Sequence, residues 1–321
     1  MSEPIDLRVG SPQGSILSPT LFIILLADIE LWCRGAKLCG YADNTTCTVY
    51  DTNINNWQNK CEEKVNQLLT YMTINRLAAN YDKTKFLVME HGNQDDEFTF
   101  KIGDAEVKES TSEKLGVWVA NSLNWAEQIE KLEDELSYRL YTLRKLEQVI
   151  PKFLLKKVAD GIFNSIIRYA LGIFCPIRTH KDDPIPSSIN GIRVRFNDVL
   201  RLLCNTRRQK HTSIESMLEK VGWLSINQLA CEVRLLEVWK AMNQKDYCIG
   251  DLFEKVENKP GLRSSNQIKL KTKFRSRLRE NSFQYPSVQL WNTAPTEVTE
   301  AKTETKARTA IRKHVRKNIP I

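Results

Sequence analysis

The sequence predicts an α+β fold in which antiparallel strands and helices, up to about residue 122, precede a mostly helical part. Before residue 110, short runs rich in Thr, Val and Tyr lie between turn residues, as is typical of strands. Residues 53–78 place apolar side chains at helical spacing, which predicts an amphipathic helix. From residue 125 onward, long stretches with helical spacing are separated by prolines.

The composition is that of a soluble globular protein. The 321 residues, 41% hydrophobic and 27% charged, leave room for about two domains. The chain starts without a basic, apolar leader, and its longest apolar run is far below the roughly 20 residues of a membrane span. We therefore expect a nuclear or cytoplasmic protein that is neither secreted nor membrane-bound. The eight cysteines form no Cys-x-x-Cys pair, so we expect reduced thiols and no zinc site.

Positive charge is concentrated at the end of the chain. Residues 1–90 carry 8 basic and 10 acidic side chains, whereas residues 261–321 carry 14 basic and 4 acidic ones. The last fifth of the chain therefore has a net charge of +10, which accounts for the whole excess. Such a segment indicates an anionic partner or a solvated tail.

The first predicted helix follows a loop rich in Gly and Pro at residues 10–15. Ser18 as the N-cap and Pro19 at the first helical position predict a helix over about 18–33. A glycine-rich loop before a helix can offer backbone N–H groups to a phosphate. The ordinary alternative is a loop that only turns the chain.

Short strands are predicted on both sides of the helix at 53–78. Two β-prone runs flank Asp43 and Asn44, which predicts a hairpin with the acid at its turn, although Asp-Asn is also ordinary turn chemistry. Residues 85–90 and 98–102 are predicted strands, the second followed by a turn at Gly103 and a strand to Val107.

The remainder of the chain is predicted to be helical. The expected helices cover residues 125–149, 152–174, 187–204 and 225–243, and their apolar stripes indicate the core of a helical bundle. The domain boundary is expected between 119 and 126, and residues 176–188 are expected to be a linker.

A basic segment at 261–281 interleaves positive and apolar residues. Basic residues at every second position would share one face of a strand and could contact nucleic-acid phosphates, with a solvated charged surface as the alternative. Nothing in the segment indicates readout of bases. The candidate nucleic-acid-binding residues are Lys271, Lys273, Arg275, Arg277 and Arg279.

Four segments, in the correct order, resemble motifs of reverse transcriptases from non-LTR retrotransposons, of the LINE-like, jockey type. Gly-Ser-Pro-Gln-Gly-Ser-Ile-Leu-Ser-Pro-Thr-Leu-Phe at 10–22 resembles motif B, and Tyr-Ala-Asp-Asn at 41–44 resembles motif C, normally Tyr-Ala-Asp-Asp. Residues 80–88 resemble motif D, and residues 114–125 resemble the block that follows it. Looser similarity continues at 162–172, like the family's thumb helix, and at 282–295, like its Trp-Asn-x-x-Pro block.

The resemblance implies a division of the chain into four parts. Residues 1–122 would be a partial polymerase palm, with antiparallel strands and helices. The helical thumb would cover 123–186, a helical C-terminal region 187–260, and a basic C-terminal extension 261–321.

The activity implied is that of an RNA-directed DNA polymerase, a nucleotidyltransferase that adds dNTPs to a DNA primer on an RNA template with two Mg²⁺ ions. Asp43 would be a metal ligand with Asn44 beside it, and Lys83 would lie near the triphosphate, where a cation offsets developing charge. The ordinary alternative for Lys83 is a solvated lysine. The residues expected to contact nucleotide or template are Pro12, Gln13, Gly14, Ser15, Tyr41 and Ala42.

Two departures from the family pattern bear on activity. Two dications about 3.5–4 Å apart need several converging carboxylates, some of which the family takes from motif A, tens of residues before motif B. Motif B starts here at residue 10, and Asn44 replaces the second motif C carboxylate. We therefore expect Asp28 and Asp51 to be surface acids and the chain to be a fragment, catalytically incomplete as given. One alternative is a non-catalytic nucleic-acid-binding remnant, and another is an incomplete gene model or a decaying element with no selected role.

Overall fold

A computed structural model describes residues 10, 14–51, 53–89, 99–102, 105–108, 112–206, 212–245, 247–256, 266–271 and 282–321. The chain forms two compact units: unit 1 contains residues 1–114 and 119–123, and unit 2 contains residues 115–118 and 124–321. The predicted α+β class is confirmed, because unit 1 combines antiparallel strand pairs with helices and unit 2 is mostly helical. The division into thumb, helical region and basic extension stays a prediction.

Unit 1 begins with two short helices and a hairpin, followed by one long helix and further short strands. Strands β1 and β2 pair antiparallel, as do β3 and β4. The elements are α1 (Ser18–Leu25), α2 (Ile29–Trp32), β1 (Lys37–Tyr41), β2 (Asn44–Thr48), α3 (Ile54–Ile74), a 3₁₀ turn (Tyr81–Lys83), β3 (Thr99–Ile102), β4 (Ala105–Lys108) and β5 (Ser112–Lys114); β6 (Val117–Val119) lies at the division between the units.

The single helix predicted over 18–33 is wrong, because the chain leaves helical geometry after Leu25 and starts α2 at Ile29. Leu17 is the N-cap of α1, so Ser18 is already helical. The break has a tertiary cause: Tyr71 donates hydrogen bonds to the Leu25 carbonyl (2.6 Å) and to Asp28 Oδ1 (2.7 Å). Periodicity along residues 18–33 could not anticipate a partner 43 residues away.

The helix predicted over 53–78 is confirmed as α3, and the hairpin of β3 and β4 is confirmed for its described residues. The turn predicted at Gly103 lies outside the described residues. The strand predicted over 85–90 is wrong for residues 85–89, which carry only an isolated bridge at Phe86, and Glu90 lies outside the described residues. The Phe86 ring stacks on Trp57 of α3 at 6.0 Å between centroids. This segment therefore packs on the helix without forming a ladder.

A small core holds unit 1 together. It consists of Ile29, Cys33, Leu68 and Tyr71, with Leu26, Leu38 and Cys47 packed against it. Helix α1 is apolar on all sides but buries none of its residues: Ile23 and Ile24 are 68% and 63% exposed. Helix α1 therefore presents apolar side chains that the described residues leave exposed.

Unit 2 is a helical assembly around one large hydrophobic core. Its elements are α4 (Ala126–Leu146), α5 (Lys152–Ala159), a π-helical turn (Asp160–Asn164), α6 (Ser165–Arg168), α7 (Leu171–Phe174), a 3₁₀ turn (Ser187–Ile189), α8 (Asn190–Cys204), α9 (Ile214–Val221), α10 (Ile226–Asn243), a 3₁₀ turn (Gly250–Leu252), β7 (Phe253–Lys255), β8 (Ile268–Leu270), α11 (Gln284–Thr293), α12 (Thr296–Thr299) and α13 (Glu304–Asn318).

The predicted helices of unit 2 are confirmed as α4, α8 and α10, but the one predicted over 152–174 is divided. A π-helical turn follows α5, and Ala170 adopts the left-handed conformation (φ 55°) before α7. At the π-helical turn, Asp160 accepts a hydrogen bond from Trp223 Nε1 (2.6 Å). Phe153 belongs to the apolar stripe of this predicted helix, which was expected to be buried, but it is 65% exposed. Strands β7 and β8 pair antiparallel.

Helix α10 is the central element of unit 2 and buries charged side chains as well as apolar ones. Glu232 is 1% exposed and accepts from Arg168 Nη2 (2.6 Å), with Arg312 Nε at 3.6 Å. Arg234, also 1% exposed, donates to the carbonyls of Gly172 (2.8 Å) and Cys175 (3.0 Å). Burial lowers the pKa of Arg234 from its usual value. These contacts connect α6, α7 and α13 to α10 through partners that a buried charge requires.

None of the helices in the described part of the chain combines the length and apolarity needed to cross a membrane.

Helices α4 and α8 pack closely at Gly191, which leads to a stability prediction. Glu133 pairs with Arg195 (3.1 Å), and Arg195 also donates to the Gly191 carbonyl (3.0 Å). A Cβ at Gly191 would overlap the Glu133 carboxylate, whereas one at Gly161 would meet no atom within 4 Å. We expect Gly191→Ala to raise the free energy of unfolding of unit 2 by about 1 kcal/mol less than Gly161→Ala does, because the Glu133 side chain must move and its partly exposed pair with Arg195 is lost. Chemical denaturation followed by circular dichroism measures the change.

Gly161→Ala is the matched control and should leave the stability unchanged or raise it by up to about 1 kcal/mol, since alanine disfavours the unfolded chain. Equal stability of the two variants would contradict the close packing at Gly191.

Candidate nucleotide and metal site

The hairpin of β1 and β2 presents the motif C residues at its tip. Tyr41 and Asn44 form the last cross-strand pair, so Ala42 and Asp43 are the two loop residues. Ala42 has a φ of 51°, the left-handed conformation that a tight two-residue hairpin turn uses. The predicted hairpin with an acid at its turn is confirmed, with Asn44 already in the second strand.

The base of the hairpin is anchored and its tip is exposed. Leu38 and Cys47 are cross-strand partners, and both pack against the small core of unit 1. Because side chains alternate along a strand, Tyr41 and Asn44 lie on the opposite face, and Tyr41 is 68% exposed. The carboxylate of Asp43 is therefore held at the exposed end of an anchored hairpin.

The donor groups at this tip do not fit a pair of magnesium ions. Asp43 supplies one carboxylate, and Asn44 supplies a neutral amide. Over the part of the chain that the structure describes, no group of three or more His, Cys, Asp and Glu side chains is placed to hold a metal ion. Two neighbouring dications require several carboxylate oxygens, so the described residues do not form such a site.

The two aspartates that flank the hairpin in sequence have structural contacts of their own. Asp28 accepts from Tyr71, and Asp51 pairs with Lys60 (3.3 Å) and accepts the backbone N–H of Asn53 (2.9 Å). Asp28 and Asp51 are both exposed, which confirms the expectation of surface acids.

The motif B loop is described only in part. Gly14 has a φ of 88°, a conformation that glycine adopts without strain, and the Ser15 hydroxyl accepts the backbone N–H of Leu17 (3.3 Å). This contact turns the chain into α1. The predicted nucleotide contacts at Pro12 and Gln13 lie outside the described residues.

Lys83 lies at the end of a 3₁₀ turn and its side chain is exposed. The Asn80 side chain accepts the backbone N–H of Lys83 (3.2 Å), and the Thr84 hydroxyl donates to the Asn80 carbonyl (2.8 Å). Asn80 thus fixes the backbone of the motif D residues. The role of Lys83 near a triphosphate stays a prediction.

Gln128, three residues after the block that follows motif D, has a buried structural role. This side chain is 6% exposed, and its Oε1 accepts the backbone N–H of Trp118 (2.8 Å). Lys131 lies over the Trp118 ring at 5.1 Å from the centroid. An amide at position 128 therefore satisfies the packing of this block.

The predicted nucleic-acid-binding segment at 261–281 is described only over residues 266–271. Lys271 pairs with Asp251 (3.1 Å), and Lys269 pairs with Glu254 (3.6 Å). Lys273, Arg275, Arg277 and Arg279 lie outside the described residues, so this prediction stays open.

Unit 2 has a group of basic residues that sequence analysis did not bring together, here called the basic cluster: Lys152, Lys156, Lys220 and Arg316. Arg316 Nη2 donates to the Gly222 carbonyl (3.1 Å), and a Cβ at Gly222 would be 4.0 Å from Lys156 Nζ. Both Lys152 and Lys220 act electrostatically on the Cys204 thiol, whose pKa burial raises despite them. None of the four pairs with a carboxylate among the described residues. The spacing of Lys152 and Lys156, one helical turn apart, was the signal in the sequence.

A comparison with known protein families matches the first part of the chain. Residues 3–119 match the family model described as reverse transcriptase (RNA-dependent DNA polymerase). This segment contains the motif B, C and D residues and the hairpin that carries Asp43. The match supports a reverse-transcriptase-like polymerase segment in this part of the chain. No curated protein and no solved structure matched the chain.

Tyr71 leads to a prediction about the support of this site. Burial first, and then the hydrogen bond to Asp28 and its charge, raise the pKa of Tyr71 to about 12, so the hydroxyl remains a donor at neutral pH. We expect Tyr71→Phe to destabilise unit 1 by about 1–2 kcal/mol, because the Leu25 carbonyl and Asp28 lose their donor. Hydrogen exchange of α1, α2 and the hairpin reports the loss.

Tyr50→Phe is the control, since Tyr50 is 74% exposed. The importance of the Tyr71 hydroxyl is contradicted if both variants leave exchange in the hairpin unchanged.

Proposed function

We propose that residues 10–119 are part of the palm of an RNA-directed DNA polymerase of the non-LTR retrotransposon kind. The observation that carries the proposal is the reverse-transcriptase match over residues 3–119, which includes a hairpin with Asp43 at its exposed turn. Asp43 is the proposed metal ligand, and dNTP, RNA template and DNA primer are the proposed substrates.

The roles of the other site residues follow from the motifs that carry them. Gly14 and Ser15, with Pro12 and Gln13, would contact the incoming nucleotide and the template base. Lys83 would offset negative charge on the triphosphate. The exposed side chain of Lys83 and the left-handed backbone of Gly14 are compatible with these roles.

We further propose that these 321 residues do not catalyse polymerisation by themselves. A single carboxylate beside a neutral amide offers too little negative charge to hold two Mg²⁺ ions against their repulsion. The two aspartates that flank the hairpin, Asp28 and Asp51, are engaged by Tyr71 and Lys60. To bind both ions, the site would need further carboxylates beside Asp43, and residues outside the described ones would have to supply them.

The basic cluster supports a second candidate function, non-catalytic binding of nucleic acid. Many cations of unit 2 have acidic partners, for example Arg308 with Glu304 (2.9 Å) and Lys313 with Glu297 (3.7 Å). The four residues of the basic cluster form no such pairs in the described part of the chain. Each one that meets a phosphate would release counterions from the nucleic acid.

Primer extension tests the first proposal. The purified chain is mixed with a primed RNA, dNTPs and Mg²⁺, and products are resolved by length. We expect no extension by the chain, by Asn44→Asp or by Asp43→Ala, because one added carboxylate at the hairpin does not replace a second strand of ligands.

The Asp43→Ala variant separates the two claims of this proposal. Extension that requires Asp43 would contradict the inactivity and support the assigned site. Extension that persists in Asp43→Ala would contradict the site itself.

A salt titration tests the second candidate function. Affinity of the full chain for primed RNA is measured by filter binding over a range of salt concentrations. We expect steeply salt-dependent binding. The double variant Lys156→Ala/Arg316→Ala should reduce the slope by about 1–2, at about 0.7–0.9 for each phosphate that is no longer neutralised.

The matched control is Arg308→Ala/Lys313→Ala, which removes two charges that have acidic partners and should change the slope little. A basic cluster that binds nucleic acid is contradicted by equal slopes for the two double variants, or by no binding at low salt.

A further inference from the structure

A cavity of about 90 Å³ opens in unit 2, between the N-terminal end of α10, helix α8 and the chain after α7. Its polar lining consists of Arg178, Arg193, Asn197, Ser225 and Asn227, and its walls are otherwise mainly isoleucine, proline and phenylalanine. The cavity lies outside the segment that matches reverse transcriptases. It also shares no residue with the basic cluster.

Two of the residues that line this cavity are arginines. Neither Arg178 nor Arg193 forms an ion pair with a carboxylate in the part of the chain that the structure describes. Arg178 Nη2 donates to the Lys181 carbonyl (2.7 Å), and its buried Nε has no hydrogen-bond partner among the described residues. Asp183 accepts the backbone N–H groups of His180 (2.8 Å) and Thr179 (3.0 Å), which lower its pKa, and the nearby charge of Arg178 also contributes to that lowering.

The position of Arg178 is fixed by α10. Asn227 accepts the backbone N–H of Arg178 (2.8 Å) and donates to its carbonyl (3.0 Å). Asn227 also donates to the Pro320 carbonyl (2.8 Å), which ties the end of the chain to the same place. The backbone that carries this guanidinium is therefore held in place by its own hydrogen bonds.

The start of α10 adds backbone donors to the cavity. Ser225 and Gln228 form a capping box, in which each side chain accepts the backbone N–H of the other residue. The next two backbone N–H groups, those of Ile226 and Asn227, donate to no acceptor among the described residues, and both residues line the cavity. The first turn of an 18-residue helix carries partial positive charge and favours an anion.

We propose that this cavity binds a phosphate group. Two unpaired guanidiniums, two backbone N–H groups and the amide of Asn197 offer more donors than a carboxylate can accept, whereas a phosphate dianion has enough oxygens and charge. The group could be free phosphate or the terminal phosphate of a nucleic-acid strand. This proposal does not depend on the polymerase assignment.

Isothermal titration of the full chain with inorganic phosphate tests the site. We expect saturable binding to the wild type and to Arg201→Gln, and at least about tenfold weaker binding to Arg193→Gln, because that variant lacks one charge-assisted hydrogen bond. Arg201 lies on the same helix as Arg193 but pairs with Asp198 (3.1 Å), so it controls for loss of charge. Circular dichroism confirms that both variants are folded.

Two further experiments accompany this titration. One identifies the source of the phosphate. The other tests the effect of the terminal carboxylate, because Ile321 also lines the cavity. Competition by a 5′-phosphorylated oligonucleotide, but not by its 5′-hydroxyl form, assigns the site to a strand terminus; inhibition by neither assigns it to free phosphate. A chain extended by two glycines moves the terminal carboxylate away, and binding gained by that extension also supports the site. The proposal is overturned by equal weakening in both variants, or by no binding to either the wild-type or the extended chain.

Discussion

Repulsion between two dications is the constraint on which the chemistry proposed for unit 1 depends. At a separation of about 3.5–4 Å, two Mg²⁺ ions need several carboxylate oxygens to offset their mutual charge. The hairpin provides Asp43, and its neighbours across and along the turn are a tyrosine, an alanine and an asparagine. The structure thus holds the proposed ligand in a well-supported position, without the charge that a pair of ions requires.

The support of that ligand comes from packing at the other end of the hairpin. Leu38 and Cys47 anchor the strands on α3, and Tyr71 of the same helix binds Asp28 and the end of α1. The buried Tyr71 therefore connects α1 with the small core that anchors the hairpin. Buried polar side chains of a central helix also connect the elements of unit 2. Glu232 and Arg234 of α10 bind three other helices at the centre of its core.

Sequence patterns predicted the elements that depend on residues close together in the chain. The turn at Asp43, the helix α3 and the helices α4, α8 and α10 follow from turn chemistry and from apolar spacing within each segment. Sequence patterns did not predict the backbone conformation where a side chain distant in sequence binds. Tyr71 accompanies a helix break at Leu25, and Trp223 binds Asp160 beside a π-helical turn. The cavity lined by Arg178 and Arg193 could not be predicted for the same reason, because Asn227, 49 residues away, holds the backbone of Arg178 in place.

The number of bound ions is the most direct test of whether the hairpin can hold a metal pair. Electron paramagnetic resonance of Mn²⁺, a stand-in for Mg²⁺, reports the number of ions held per chain and the magnetic coupling between neighbouring ions. We predict no coupled pair in the wild-type chain and no difference between the wild type and Asp43→Asn in the number of tightly bound ions. Two coupled ions per chain, both absent from Asp43→Asn, would contradict a hairpin with too little charge for the pair.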